Sequence, residues 1–245
     1  MTRTTYSDDY IEKTKAVSGC FSMFLLFVAI TYVPVMFKDY NNIHSQEIAL
    51  SVLYATEFIV LVPLYLLFFS KRAGLGRGDF NVKNFLFLLI LILLLQFITP
   101  WMLRIDKTEK WVVSQVTLEH YYFWLANLPL IFIVPVYEEM IFRGCLFNTF
   151  RYWFNDNVYL SAVSVSILFS ILHTQYSDIR TLFILFLVSM VLIFARVKSN
   201  GILMSIILHM VMNMIVIGFQ YFLFFNPFYE SLMVRLYESG YSLLV

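Results

Sequence analysis

Apolar residues run in long blocks along this chain, separated by short polar stretches. Seven blocks approach the roughly 20 residues that a membrane-spanning helix needs. They are Ser18–Phe37, Ala49–Phe69, Asn84–Leu103, Asn127–Phe150, Val158–His173, Thr181–Val197 and Ile202–Phe225. The fifth and sixth are short and are expected to extend into their loops. Beyond the last block, Phe228, Tyr229, Leu232, Met233, Leu236 and Tyr237 recur at helical spacing, with Glu230, Arg235 and Glu238 off that stripe. The pattern is amphipathic and favours an interfacial helix over an eighth span. The expected fold is all-α, a polytopic transmembrane helical bundle of about seven spans with the tail as the candidate eighth. No Gly/Ser-rich linker or internal repeat divides it. Its expected parts are a three-span region at 1–126, a helical core at 127–225 and the amphipathic tail at 226–245.

Composition agrees. The 245 residues are 60% hydrophobic and 13% charged, where a soluble domain is roughly 45–50% apolar and about 25% charged. Mean hydropathy is +0.77. Phe (26) and Tyr (16) are abundant enough to supply the aromatic belts of a membrane interface. A net charge of +1 gives no basic excess for nucleic acid. Arg3, Lys13 and Lys15 precede the first apolar run, as in a signal peptide. That run is too long, and no small-x-small site follows it, so a retained helix is expected.

With the N-terminus inside, the cytoplasmic side holds Arg3, Lys13, Lys15, Lys71, Arg72, Arg77, Lys83, Arg143, Arg151, Arg196 and Lys198. The other side holds Lys38, Arg104, Lys107, Lys110, Arg180 and Arg235. The excess favours a cytoplasmic N-terminus. Cys20 and Cys145 lie in separate apolar blocks without metal-ligand spacing and read as packing residues.

Chemistry enters with the fourth block, NLPLIFIVPVYEEMIFRGCLFNTF. Ionisable groups at bilayer depth are costly and face a protein interior or a wet cavity. Glu139 and Arg143 are four apart, share a helix face and form a natural ion pair. Glu138 is turned about 100° away and is left free to act on a proton. Pro129 and Pro135 predict a locally bent helix. Phe169 and His173 share a face in FSILH, as do His209 and Asn213 in HMVMN. Imidazole and amide together can donate to an oxyanion or ligate a metal. At about 1.5 Å per residue, Glu138, His173 and His209 come to depths of roughly 18, 22 and 12–18 Å from the cytoplasmic ends. Taken singly, each has a bland reading as helix-packing glue. Jointly, three polar motifs on three separate spans point to a site. Glu57 is a lone acid that either lines the cavity or packs against a polar partner. His44 and His120 read as solvated loop residues.

These motifs resemble the CAAX-protease and bacteriocin-processing family, also called CPBP or Abi, a group of intramembrane endopeptidases. The matching residues are Glu138, Glu139 and Arg143 in YEEMIFRG, Phe169 and His173 in FSILH, and His209 and Asn213 in ILHMVMN. The turn Lys198-Ser199-Asn200-Gly201 also looks like the family's. The resemblance covers about Asn127–Phe219, so the core at 127–225 is CPBP-like. It implies peptide-bond hydrolysis in which Glu138 activates water, His173 orients it, and His209 with Asn213 stabilises the oxyanion. Glu139, Arg143 and Phe169 would support that cluster.

A metal version would use Glu138, His173 and His209 as zinc ligands. The HExxH arrangement is absent, and such a set would leave no separate base. The metal-free scheme is therefore preferred, with zinc as the alternative and no organic cofactor. Other readings are a non-catalytic relative, acting as a bacteriocin-immunity protein, scaffold or sensor, and a proton-coupled transporter. The two halves lack the repeat expected of the last. Compact loops and a Phe-, Ile- and Asn-rich composition suggest a bacterial plasma membrane. The implied partners are membrane lipid and a peptide or protein substrate, with a short secreted peptide favoured over a prenylated protein.

Overall fold

The computed structural model describes residues 6–32, 43–72, 74–105, 108–116, 118 and 120–225. The amphipathic stripe at 228–245 lies outside the described residues, as do the side chains of 6–13, 43–49 and 116. All regular structure among the described residues is helical. The helices are α1 (Tyr6–Tyr32), α2 (Ile43–Phe68), α3 (Val82–Met102), α4 (Lys110–Val116), α5 (His120–Phe132), α6 (Val134–Glu138), a π-helical segment (Glu139–Leu146), α7 (Phe147–Trp153), α8 (Val158–Leu172), α9 (Ile179–Ser199) and α10 (Leu203–Phe225).

Local signals set many of the ends. Asn81 caps α3 by accepting from Asn84 N, and Asn157 caps α8 by accepting from Leu160 N. Each satisfies an N–H that a helix start leaves orphaned. Asp178 does the same for α9 through Arg180 N. Asn200 closes α9 in the left-handed conformation, φ 50°, which Asn tolerates better than most residues. The α5–α6 rod breaks at Ile133, just before Pro135. The bend expected from the prolines is therefore present. His44 and His120 fall within α2 and at the start of α5, not in loops. Exposed His120 Nδ1 lies 3.0 Å from the Tyr221 hydroxyl, so an aromatic partner orders it. Helix α4 carries no strong apolar period and was not legible from the sequence.

Among the described residues, six helical stretches are long and apolar enough to cross a membrane by length and composition. One of them, His120–Trp153, is the broken α5–α7 rod. The expected sixth block lengthens to the 21 residues of α9, while the fifth forms as the 15-residue α8. The outer surface is apolar, with Ile59, Leu67, Phe87, Ile90 and Trp101 all exposed. The chain is thus built as an integral membrane protein whose polar exceptions point inward.

Two large apolar clusters, with a smaller third around Phe123, Ile131 and Ile217, form the interior among the described residues. One joins α1, α2, α6, the π segment and α8 through residues such as Phe24, Leu61, Tyr137, Phe142 and Phe169. The other joins α3, α9 and α10 through Leu88, Ile92, Leu192 and Leu208. Cys20 and Cys145 are free, buried and adjacent, with Cys20 Sγ donating to Cys145 Sγ at 2.8 Å.

A backbone clip ties the loop after α2 to the turn before α10. Asp79 N donates to Ser199 O at 2.7 Å, while Ile202 N and Leu203 N donate to Gly76 O and Arg77 O at 3.0 and 3.2 Å. The loop carbonyls thus serve N–H groups at the start of α10. The chains approach so closely that a Cβ on Gly78 would lie 2.4 Å from Ser199 O, and one on Gly201 would lie 2.3 Å from Gly78 N.

Candidate functional site

The site is organised by the π segment. Phe147 N donates to Phe142 O in an i→i+5 pattern, a geometry that recurs at functional sites. All eight of its residues are buried. Arg143 Nη1 lies 3.0 Å from Glu139 Oε1, with both side chains fully buried. The expected ion pair is therefore present. Arg143 Nη2 donates to Ser189 Oγ on α9 at 3.0 Å. Its guanidinium also lies over the Phe169 ring, 4.3 Å from the centroid, a favourable cation–π placement.

Glu139 has a second partner. His209 Nδ1 on α10 is 2.9 Å from Glu139 Oε1. A carboxylate can only accept, so this bond places a proton on Nδ1. The other ring nitrogen, Nε2, faces Glu138 Oε2 at 4.0 Å. One imidazole therefore bridges the two adjacent acids.

His173 caps α8 with Nδ1 2.7 Å from Phe169 O. A carbonyl accepts only, which leaves Nε2 as a bare acceptor. The His173 ring packs against Phe169 with centroids 4.3 Å apart, and His209 approaches that same ring at 6.4 Å. Asn213 Nδ2 donates to Leu130 O at 2.8 Å. That carbonyl lies beside the break in the α5–α6 rod, and the second amide proton of Asn213 remains.

A cavity of about 1000 Å³ opens onto Glu138, Phe169, His173, His209 and Asn213. Glu139 and Arg143 are not among its lining residues. The structure thus brings together the residues that the three motifs supply, and it separates Glu138, on the wall, from the Glu139–Arg143 pair behind it. Among the described residues, no three His, Cys, Asp or Glu side chains are grouped as a metal site. The set Glu138, His173 and His209 does not gather with ligand spacing.

Four contributors escaped the sequence reading. Ser189 was one serine in an apolar block. Arg196 looked like a loop-end cation, yet it is buried, with Nε donating to Arg143 O and Nη2 donating to Asn148 Oδ1, both at 3.2 Å. Tyr137 looked like part of the apolar run. The Leu130 carbonyl is a backbone group exposed by the helix break and had no side-chain signal.

Residues 120–215 match the family described as type II CAAX prenyl endopeptidase Rce1-like. This stretch of the chain is similar to that family. The match contains every motif residue above and bears out the resemblance read from the sequence. The matched stretch runs from α5 into α10, so it includes the His173 and His209 positions on the cavity wall. A relative from Escherichia coli, described as an uncharacterized 24.3 kDa protein, is 38% identical over 86 residues. That alignment covers 35% of this chain and 40% of the relative. The chain thus spans about two fifths of that protein's length. No solved structure matches.

Proposed function

We propose that this chain is an intramembrane endopeptidase that cleaves a peptide bond with a glutamate-activated water. The observation that carries the reading is the His209 bridge, with Nδ1 on Glu139 and Nε2 facing Glu138 across 4.0 Å at the cavity wall. Kinship with the Rce1-like family supports it.

Glu138, as a carboxylate, takes a proton from a water oriented by bare Nε2 of His173. The water oxygen bonds to the substrate carbonyl carbon, and the carbonyl oxygen becomes an oxyanion. His209 with protons on both nitrogens, braced by the Glu139 carboxylate, donates Nε2–H to that oxyanion. Asn213 offers its second amide proton to the same oxygen. The C–N bond then breaks as Glu138 passes its proton to the leaving amine. General base and oxyanion donors typically contribute about 10²–10⁴ and 10²–10³ in rate. The substrate is a membrane-associated peptide, with a short secreted peptide preferred. The membrane is a bacterial plasma membrane with the chain's N-terminus inside.

The test uses the purified protein in liposomes with two internally quenched peptides, one carrying a farnesylated cysteine and one its unlipidated twin. Cleavage of either by wild type, lost in Glu138→Gln, supports the reading. Absence of cleavage across both and across a random peptide library would favour a non-catalytic scaffold, sensor or immunity role.

A further inference from the structure

Glu57 is the one charged residue in the stretch Leu50–Phe68, and its side chain is only 2% exposed. It lines the same cavity as Glu138 but has no part in the hydrolytic scheme. A carboxyl inside a spanning helix is costly enough to require a purpose. Its hydrogen-bond partners among the described residues are hydroxyls. Thr31 Oγ1 lies 2.7 Å from Oε1, and the Tyr137 hydroxyl is a side-chain hydrogen-bond partner. Hydroxyls satisfy two of about four acceptor positions and bring no charge.

The surroundings favour a cation. The cavity's described walls carry three carboxyls, Glu57, Glu109 and Glu138, against the Arg104 guanidinium and the doubly protonated His209 of the hydrolytic scheme, which pairs with Glu139 and faces Glu138. Phe27, Tyr32 and Tyr54 line the same cavity and add aromatic faces, and such rings attract cations further. Leu50 and Leu53, about two and one helical turns before Glu57 on α2, also line the cavity, and such apolar wall suits the methylene stem of a long basic side chain.

We infer that the Glu57 end of the cavity is a specificity pocket for a lysine or arginine side chain of the peptide. The pocket binds the cation against Glu57 while the scissile bond lies over Glu138. This rests on the peptidase reading, and the experiment separates the two.

An internally quenched peptide library carries lysine or isosteric norleucine at each position in turn. Wild type is expected to cleave the lysine form about ten- to a hundredfold faster at one position, the range for a hydrogen bond to a charged group. Glu57→Gln keeps the shape and the Thr31 contact, and it is expected to bring that ratio to about one. Glu57→Asp restores the charge and part of the ratio. Cleavage with no lysine preference, or a preference that persists in Glu57→Gln, overturns the pocket. A parallel measurement reads binding of the labelled lysine and norleucine peptides to Glu138→Gln protein. Preferential lysine binding that depends on Glu57, without cleavage by wild type, keeps the pocket and discards the peptidase. Equal binding of both peptides overturns the pocket whatever the cleavage result.

Discussion

One oxygen of Glu139 serves two partners from different helices, Arg143 Nη1 at 3.0 Å and His209 Nδ1 at 2.9 Å. The sequence spacing foretold the first contact and not the second. Glu139 therefore both neutralises a buried guanidinium and sets the proton position on a cavity histidine. Glu139→Ala strands Arg143 in a fully desolvated place, and breaking such a pair costs about 3–5 kcal/mol. The expected outcome is a sharply lower melting temperature in detergent, with activity lost as a consequence. A variant that melts like wild type yet fails to turn over would move Glu139 into the chemistry itself.

Glu138 occupies the cavity wall without that structural duty. Glu138→Gln should fold normally and lose about 10²–10⁴ in turnover. Melting temperature and peptide cleavage, measured on the same preparation, check the two halves of this expectation. Wild-type turnover in the Gln protein would rule out Glu138 as the base.

Zinc content decides between the two schemes of catalysis. The metal-free scheme expects no stoichiometric metal in freshly purified protein and no loss of activity in a strong chelator. Elemental analysis that finds one tightly bound zinc per chain, removed by His173→Ala, would reverse that choice.

A pH-sensitive tie joins Glu109, just before α4, to the segment between α8 and α9. Glu109 accepts from Ser177 N at 3.1 Å, Ser177 Oγ at 2.9 Å and Asp178 N at 3.0 Å. Burial pushes its carboxyl up, but the bonds from Asp178 and Ser177 outweigh it and hold the group below its ordinary value of 4.5. A folded-state value below the unfolded one stabilises the tie at and above that ordinary value, and the stabilisation is lost as pH falls through the folded value. Hydrogen exchange at the Ser177 and Asp178 amides should therefore be slow at neutral pH and lose its excess protection in acid. Glu109→Gln should show the acid behaviour at neutral pH.

Two glycines with opposite surroundings test the packing. Gly78 has φ +71° and meets Ser199 O at 2.4 Å from a built Cβ, so Gly78→Ala should cost on the order of 2 kcal/mol or more. Gly218 has nothing within 4 Å and lies inside α10, so Gly218→Ala should be neutral or stabilising by roughly 0.5–1 kcal/mol. Thermal melts of the pair provide the check.

Much of the site was legible because its residues are exceptions to their surroundings. Glu138, Glu139, Arg143, His173 and His209 are conspicuous in apolar blocks, and helical spacing alone paired Glu139 with Arg143. The spans were legible for the same reason in reverse, since long apolar runs admit few other structures. What escaped depends on three-dimensional placement. The His209–Glu139 bond joins residues 70 positions apart, and no local rule selects it over a bond to Glu138. The π winding of Glu139–Leu146 is a packing outcome, with no residue type that announces it. The clip at Gly78 and Gly201 needed both chains in place before either glycine had a meaning. Arg196 misled because a basic residue near a helix end usually reaches solvent, and here it holds the Arg143 carbonyl.

The π segment has no outward side, with Glu139 through Leu146 enclosed on every flank. It cannot turn or slide without emptying several packed positions at once. In the proposed peptidase the anvil beside Glu138 would therefore be fixed in the frame of the membrane, and selection would fall on delivery. The incoming strand would have to bend to meet a stationary Glu138, so the flexibility of the substrate would count alongside its sequence.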